Sequence, residues 1–226
     1  PDGVTWIKKS AANFDPTNNK IILDDGSEIG YDYLVVAMGV MLNYGAIDGL
    51  EGEITTLGNS DSVRKKIGKN GVYSLYFADG SVDTYNGIQE IIQKAKNLKG
   101  DKKLQCIFTD AHTAIKCGGA PKKVMYIAND LITKAGVRDK VEMLFYTNSD
   151  KLFSVPEYAE AIEKQFKARD FKWEFKTRLV AVDTENQTAT LERTWTEKGE
   201  WDKDLEEFEI ITKKERFVKN FDFLHI

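Results

Sequence analysis

The sequence predicts an α/β fold in which a parallel sheet is accompanied by a small antiparallel meander. One observation is a buried-strand pattern at residues 104–109, followed by a glycine-containing loop and a helix that starts at Pro121. A second is that strand and helix patterns keep alternating after this helix. A third is that short apolar runs alternate with turn residues near the N-terminus. We therefore expect a βαβ unit, which places helices against parallel strands.

The N-terminal region predicts the meander. Strand patterns at Thr5–Ala12 and Lys20–Leu23 are joined by residues 15–19, which are rich in Asp, Asn and Pro and predict a turn. The sequence DDGS at 24–27 predicts the next tight turn. The continuous apolar run Tyr33–Ala37 then predicts a strand that is buried on both faces.

The middle of the chain predicts a loop followed by a helix. Residues 43–71 are rich in Gly, Asn, Asp and Ser and predict a loop with one short charged helix. From Thr84 to Leu98, apolar residues recur at helical spacing, which predicts a helix with one buried face. The sequence GDKK at 100–103 is the predicted crossing into a second domain.

The second domain is predicted to alternate strand and helix. The order is strand 104–109, helix 121–135 closed by Gly136, and strand Val141–Thr147. The sequence SVPE at 154–157 has the form of a capping box and predicts the next helix.

The C-terminal part predicts further strands. Trp173–Val182 and Thr188–Trp195 are expected to pair around residues 185–187. Residues 196–206 predict a charged turn or insertion, and Phe208–Ile211 and Phe221–Ile226 predict the last strands.

Cys117 is the main candidate for chemistry. It lies in the loop between strand 104–109 and the following helix, where a phosphate-binding loop would have its first glycine. A thiol at a helix N-terminus beside Lys116, Lys122 and Lys123 is expected to have a lowered pKa and to be reactive. Lys122 and Lys123 also fit the simpler interpretation of solvated surface charges.

Composition excludes several classes of function. The 226 residues are 42% hydrophobic and 30% charged, as in a soluble globular protein. A net charge of −4 argues against a nucleic-acid-binding protein. The two cysteines form neither a disulfide framework nor a zinc site, so we expect no metal. No apolar run approaches the ~20 residues of a membrane span. Because the chain starts at Pro1 and ends in a strand pattern, we expect an internal fragment of a longer protein.

Two motifs carry a family resemblance. Ile107–Thr109 is followed by KCGGAPKK at 116–123, and YDYLVVAMG stands at 31–39, with Met38 where Thr is usual. These segments resemble the sulfide:quinone oxidoreductases, FAD enzymes of the pyridine nucleotide-disulfide oxidoreductase superfamily. The resemblance runs nearly end to end, and only 194–207 is unusual. It implies a two-dinucleotide-binding-domain flavoprotein fold, Rossmann-like and incomplete in this chain.

The resemblance also implies a division into domains. Residues 1–100 would be part of the FAD-binding domain, 101–219 a second, NADH-binding-like domain without a nicotinamide phosphate loop, and 220–226 the return into the first. The first FAD motif and the second redox cysteine of the family are absent from this sequence, so we do not expect the fragment to turn over alone.

The activity implied is oxidation of sulfide through a cysteine persulfide and FAD, with two electrons passed to a quinone. Cys117 would be one of two redox cysteines, and the positions implied near FAD are Ala11, Ala37, Met38, Gly39 and Pro121. The partners implied are sulfide, a quinone and a sulfane-sulfur acceptor, and homo-oligomerisation is allowed. The resemblance further implies peripheral association with the mitochondrial inner membrane or the bacterial plasma membrane.

Alternatives remain open from the sequence. A type II NADH:quinone oxidoreductase would need a glycine-rich phosphate loop after strand 104–109, which TDAHTAIKCGGAP does not supply. A flavocytochrome c sulfide dehydrogenase would pass electrons to a haem subunit instead. A non-catalytic α/β binding domain would have no need of a lowered pKa at Cys117.

Other candidates have plainer interpretations. Cys106 lies inside an apolar strand pattern and is expected to be a small buried hydrophobe. His112 is either a proton carrier beside Cys117 or a solvated loop residue. His225 has no role that follows from the sequence, and the aromatic group that includes Tyr76 is expected to be core.

Overall fold

The structure is a computed structural model that describes residues 2–55, 58–113, 115–202 and 205–226. The chain divides into two compact units, residues 1–39 and 40–226. Each unit is described by itself. The predicted domain boundaries near residues 100 and 219 remain predictions.

The first unit contains the expected antiparallel meander. Its strands are β1 (Ala11–Asp15), β2 (Lys20–Leu23) and β3 (Glu28–Gly30), paired in that order. The turn at 24–27 is as predicted, and Gly26 occupies it with φ of 82°. The strand predicted at 5–12 begins only at Ala11, because β2 ends at Leu23, directly opposite that residue.

The strand predicted at Tyr33–Ala37 is wrong. The segment has no regular secondary structure, and Tyr33 and Val35 are 95% and 87% exposed. A strand that is buried on both faces needs strands beside it to hydrogen-bond its backbone. Among the described residues, no strand pairs with this segment.

The second unit is built on a five-stranded parallel sheet. Its strands, in spatial order, are β6 (Val72–Tyr73), β13 (Phe223–His225), β7 (Leu104–Thr109), β8 (Val141–Tyr146) and β9 (Phe171–Glu174). The helices are α1 (Ala78–Asn97), α2 (Ala120–Lys134) and α3 (Pro156–Ala168). β7, α2 and β8 form the predicted βαβ unit, so the α/β class is confirmed.

The helices cover the sheet through an apolar core. Phe166 of α3 is fully buried and packs edge-on against Phe145 of β8 and Phe171 of β9. Helix α1 begins six residues earlier than the helix predicted from Thr84. The capping box predicted at 154–157 is not formed, because the residue that caps α3 is Val155, which makes no side-chain hydrogen bond to the helix.

A second, antiparallel sheet consists of β10 (Thr177–Asp183), β11 (Thr188–Asp202) and β12 (Glu207–Asn220). The strand predicted at 173–182 is therefore two strands in different sheets. The chain turns between them at Lys176, whose φ is 52°.

Most of the charged turn predicted at 196–206 is instead strand, since β11 and β12 form a long hairpin. Trp201 and Phe208 pair across it, with ring centroids 4.9 Å apart, and such aromatic cross-strand pairs stabilise hairpins. Residues 203 and 204 of the predicted turn lie outside the described residues.

The region predicted as a loop at 43–71 contains a short hairpin. Its strands are β4 (Met41–Asn43) and β5 (Glu53–Thr55), with a 3₁₀ turn at Tyr44–Ala46. The loop of this hairpin pairs with the second sheet, because the backbone of Asp48 forms a parallel β-bridge with Ala181 of β10. Residues 61–66 form hydrogen-bonded turns instead of the predicted short helix.

Candidate functional site at Cys117

The site lies in the second unit, at the carboxyl ends of β7 and β13. These ends meet at one edge of the sheet, which is where parallel sheets bind ligands. A cavity of about 230 Å³ opens there. It is lined by residues 40–44 together with Ala46, Ile47, Tyr76, residues 109–113, residues 115–117, Leu179 and Ile226.

Cys117 lies on the wall of this cavity, immediately before α2. Its thiol is exposed, and its pKa is lowered from the ordinary value. The largest cause is hydrogen bonding from the backbone N–H of Gly119, followed by that of Ala120, and the charges of Lys123 and Lys122 add to it. The predicted lowering of the pKa is therefore confirmed, while the catalytic role of Cys117 remains a prediction.

Lys122 is not a solvated charge, contrary to one interpretation of the sequence. Its side chain is only 5% exposed and forms an ion pair with Asp110, with Nζ and Oδ2 3.4 Å apart. Nζ also donates a hydrogen bond to the carbonyl oxygen of Gly118 at 3.0 Å. Asp110 was not identified from the sequence, although it directly follows β7 at the edge where a functional residue is expected. Lys123 is exposed.

The other cysteine of the chain lies inside β7. Cys106 is 2% exposed, and burial raises the pKa of its thiol far above the ordinary value. A thiol of this kind stays protonated and inert. The interpretation of Cys106 as a small buried hydrophobe is confirmed.

The two histidines differ in environment. His112 is an exposed residue of the cavity wall, and its pKa is lowered chiefly by partial burial and then by the charge of Arg178. His225 is fully buried in β13, and burial lowers its pKa to about 3. Its Nε2 accepts a hydrogen bond from the N–H of Leu75 at 3.1 Å, and its Nδ1 has no hydrogen-bond partner among the described residues. His225 is therefore neutral at physiological pH.

We expect this buried histidine to make the protein less stable as the pH falls. In the unfolded chain a histidine binds a proton below about pH 6.5, whereas His225 in the folded protein does so only below about pH 3. The contribution of neutral His225 to the free energy of unfolding is therefore fully present above about pH 6.5 and decreases between about pH 6.5 and pH 3. Within this pH range the free energy of unfolding should fall by up to about 1.4 kcal/mol for each pH unit. Thermal unfolding followed from about pH 7.5 to 4.5 measures it.

The matched variants are His225→Gln and His112→Gln. The first should flatten the decline in melting temperature, because glutamine does not titrate and can accept the Leu75 hydrogen bond. The second should flatten the decline much less, because the pKa of exposed His112 is lowered less than that of buried His225. Parallel curves for the wild type and His225→Gln would contradict the assignment.

The positions expected near FAD fall in both units. Pro121 lies buried in the first turn of α2, four residues after Cys117. In the first unit, Ala11 starts β1, and Ala37, Met38 and Gly39 form an exposed stretch. Gly39 has φ of 76°, a conformation that disfavours other residues. Contact between these residues and FAD remains a prediction.

Tyr76 belongs to the cavity and not to the core alone. It is half-buried, and its pKa is raised mainly by burial and also by electrostatic interaction with Tyr44, Asp110 and Cys117. The sequence assigned it to a core group, but its place just after β6 was a signal that it lies at the functional edge of the sheet.

Comparison with curated proteins identifies relatives. The chain is 34% identical to the mitochondrial sulfide:quinone oxidoreductase of Dictyostelium discoideum over 192 residues, which is 85% of this chain. It is 34% identical to that of Mus musculus over the same length. The chain is a homologue of the sulfide:quinone oxidoreductases. It spans 38% of the length of each of these two relatives. No protein-family model matches the chain.

The fold agrees with this homology. The structure of the sulfide:quinone oxidoreductase from Aquifex aeolicus matches with a TM-score of 0.58 at 17% identity, over 97% of this chain and 41% of that one. A likeness at this identity establishes the fold alone, and it confirms that the chain has the α/β fold expected from the resemblance.

Two further features are stated for the described residues only. None of their helices is both long and apolar enough to span a membrane. They contain no group of three or more His, Cys, Asp or Glu side chains placed to hold a metal ion.

Proposed function

We propose that the protein to which this chain belongs is an FAD-dependent sulfide:quinone oxidoreductase. The observation that carries the proposal is the exposed Cys117 thiol with its lowered pKa on the wall of a cavity at the carboxyl edge of the sheet. The thiolate is the form that reacts with sulfur compounds. The names of the homologous proteins supply the reaction, which is electron transfer from sulfide to a quinone.

The cavity fits the flavin ring of FAD in its chemistry. One part of its wall is aliphatic and aromatic, with Leu42, Tyr44 and Ile226, and another part carries the Cys117 thiol. Cofactor pockets are mostly apolar and have a few placed polar groups. In the second unit, Pro121 would border the ring. For the first unit, Ala11 and the exposed residues 37–39 are proposed separately as FAD contacts, on the family resemblance alone. When bound, FAD supplies the capacity to accept two electrons and pass them to a quinone.

The residues of this chain would prepare the thiolate. The N–H groups of Gly119 and Ala120 stabilise negative charge on the sulfur of Cys117, as expected at the start of a helix. The apolar wall of the cavity would limit access of water. Sulfide and a quinone are the proposed substrates. A sulfane-sulfur acceptor, homo-oligomerisation and peripheral attachment to a mitochondrial or bacterial membrane are supported by the family resemblance alone.

A nicotinamide-dependent activity is less well supported. A phosphate group at the start of α2 would need free backbone N–H groups. Here the N–H group of Gly119 is directed to the sulfur of Cys117, that of Ala120 donates to the carbonyl oxygen of Cys117 at 3.2 Å, and Pro121 has none. The geometry therefore favours sulfur chemistry at this helix over binding of NADH.

The test is anaerobic reduction of the complete natural protein. Purified protein is mixed with sulfide or, separately, with NADH, while the flavin absorbance is recorded. We expect sulfide alone to bleach the flavin and an added quinone to restore it. Bleaching by NADH alone would indicate an NADH dehydrogenase, and absence of flavin from the purified protein would favour a non-catalytic domain.

A further inference from the structure

Lys122 occupies an unusual position for a lysine. It lies in the first turn of α2 and is 4% exposed, although an ammonium group is rarely buried to this extent. Three groups surround its Nζ: the Gly118 carbonyl oxygen at 3.0 Å, the Asp110 carboxylate at 3.4 Å and the ring of Phe145, whose centroid is 4.8 Å away. Burying this charge costs free energy that only its contacts offset.

Two of those contacts connect Lys122 to the loop that carries Cys117, residues 110–119. Gly118 directly follows Cys117, so the hydrogen bond from Lys122 fixes the carbonyl next to the reactive residue. The next residue along, Gly119, supplies the N–H group with the largest effect on the thiol. Asp110, the partner that keeps Lys122 charged, lies at the end of β7 on the cavity wall. The pair thus joins the sheet edge to the loop that presents the sulfur.

We propose that Lys122 is a positioning residue for Cys117: its buried ammonium holds the loop through the Gly118 carbonyl and stabilises the Cys117 thiolate, while Asp110 keeps Lys122 charged. This inference rests on the proposed function, in which Cys117 reacts as a thiolate. It gives Lys122 and Asp110 a role in positioning Cys117, although neither residue would react with the substrate itself.

Burial distinguishes Lys122 from the other cations around the sulfur, which are Lys116 of the same loop and Lys123 of α2, both exposed. The remaining titratable side chains of the cavity wall near this loop are Asp110, the buried partner of Lys122, with His112 and Tyr76. The charges of Lys123 and Lys122 both lower the pKa of Cys117. Salt screens an exposed charge but acts much less on a buried one. The contribution of Lys122 should therefore persist at high salt, and that of Lys123 should disappear.

The experiment measures alkylation of Cys117 by iodoacetamide in the complete natural protein, followed at the Cys117 peptide by mass spectrometry. The pH profile of the rate reports how readily the thiolate forms. We expect Lys122→Met to slow alkylation at pH 7 by about threefold to tenfold, both at low salt and at about 0.5 M salt, where the Debye length is about 4 Å. The matched control, Lys123→Met, should slow it at low salt only.

A second variant separates positioning from folding. Lys122→Met alone leaves Asp110 buried without its cation, which destabilises the protein. The double variant Asp110→Asn, Lys122→Met removes both charges and should recover thermal stability while alkylation stays slow. If the double variant alkylates as fast as the wild type, Lys122 is structural only and the proposal is wrong. It is also wrong if the two lysine variants respond to salt in the same way.

These results are independent of the proposed activity. Sulfide that fails to bleach the flavin would remove the proposed function, yet the alkylation profile would still report on Lys122. Conversely, normal bleaching with unchanged alkylation in Lys122→Met would remove only the role of Lys122.

Discussion

Replacing Cys117 by serine should reduce the rate of flavin bleaching by sulfide at least about a thousandfold, because a serine hydroxyl is not ionised at neutral pH and cannot carry a persulfide sulfur. The surrounding loop should accept the change, since the side chain is exposed and serine is nearly isosteric with cysteine. The N–H group of Gly119 can donate to the serine oxygen instead. Stopped-flow absorbance of the anaerobic complete protein measures the rate.

The other cysteine of the chain provides the control. Cys106→Ala removes a buried, protonated thiol from β7 and should cost about 1 kcal/mol of stability without slowing the reaction with sulfide. The flavin content of both variants must match that of the wild type, so that a slow reaction is not mistaken for loss of cofactor. If Cys117→Ser bleached at the wild-type rate, Cys117 would have no part in the reaction.

Elements with strong local signals could be predicted from the sequence. The apolar run of β7, Pro121 at the first turn of α2 and Gly136 after its end specify a strand–loop–helix unit without any distant contact. The lowered pKa of Cys117 was predictable for the same reason, since its main causes are backbone N–H groups two and three residues further along the chain.

Elements that depend on distant partners could not be predicted. The run Tyr33–Ala37 has the composition of a buried strand, but strand pairing requires a neighbour, and composition does not report one. Residues 196–202 are charged enough to suggest a turn, yet cross-strand pairing with β12 extends them. The pair formed by Asp110 and Lys122 brings together the end of β7 and the first turn of α2, and nothing in the spacing of the two residues specifies it.

Replacing Gly49 by alanine should lower the melting temperature by about 6–12 °C, which corresponds to a loss of about 3 kcal/mol or more. Gly49 has φ of 83°, and a Cβ atom built there would lie 2.0 Å from the carbonyl oxygen of Val182. The neighbouring backbone cannot easily retreat, because Asp48 exchanges hydrogen bonds with Val180 and Val182 of β10 at 3.1 and 2.8 Å. The loop would have to leave the second sheet.

Gly136→Ala is the matched control for this substitution. Gly136 also has positive φ, 73°, but a Cβ atom there would meet nothing within 4 Å. Only the conformational cost of about 1 kcal/mol applies, so the melting temperature should fall by about 2–4 °C. Equal losses in the two variants would show that the contact with Val182 does not hold the loop in place. Because residues 40–44, 46 and 47 line the cavity, Gly49→Ala should also weaken retention of the proposed flavin, whereas Gly136→Ala should not.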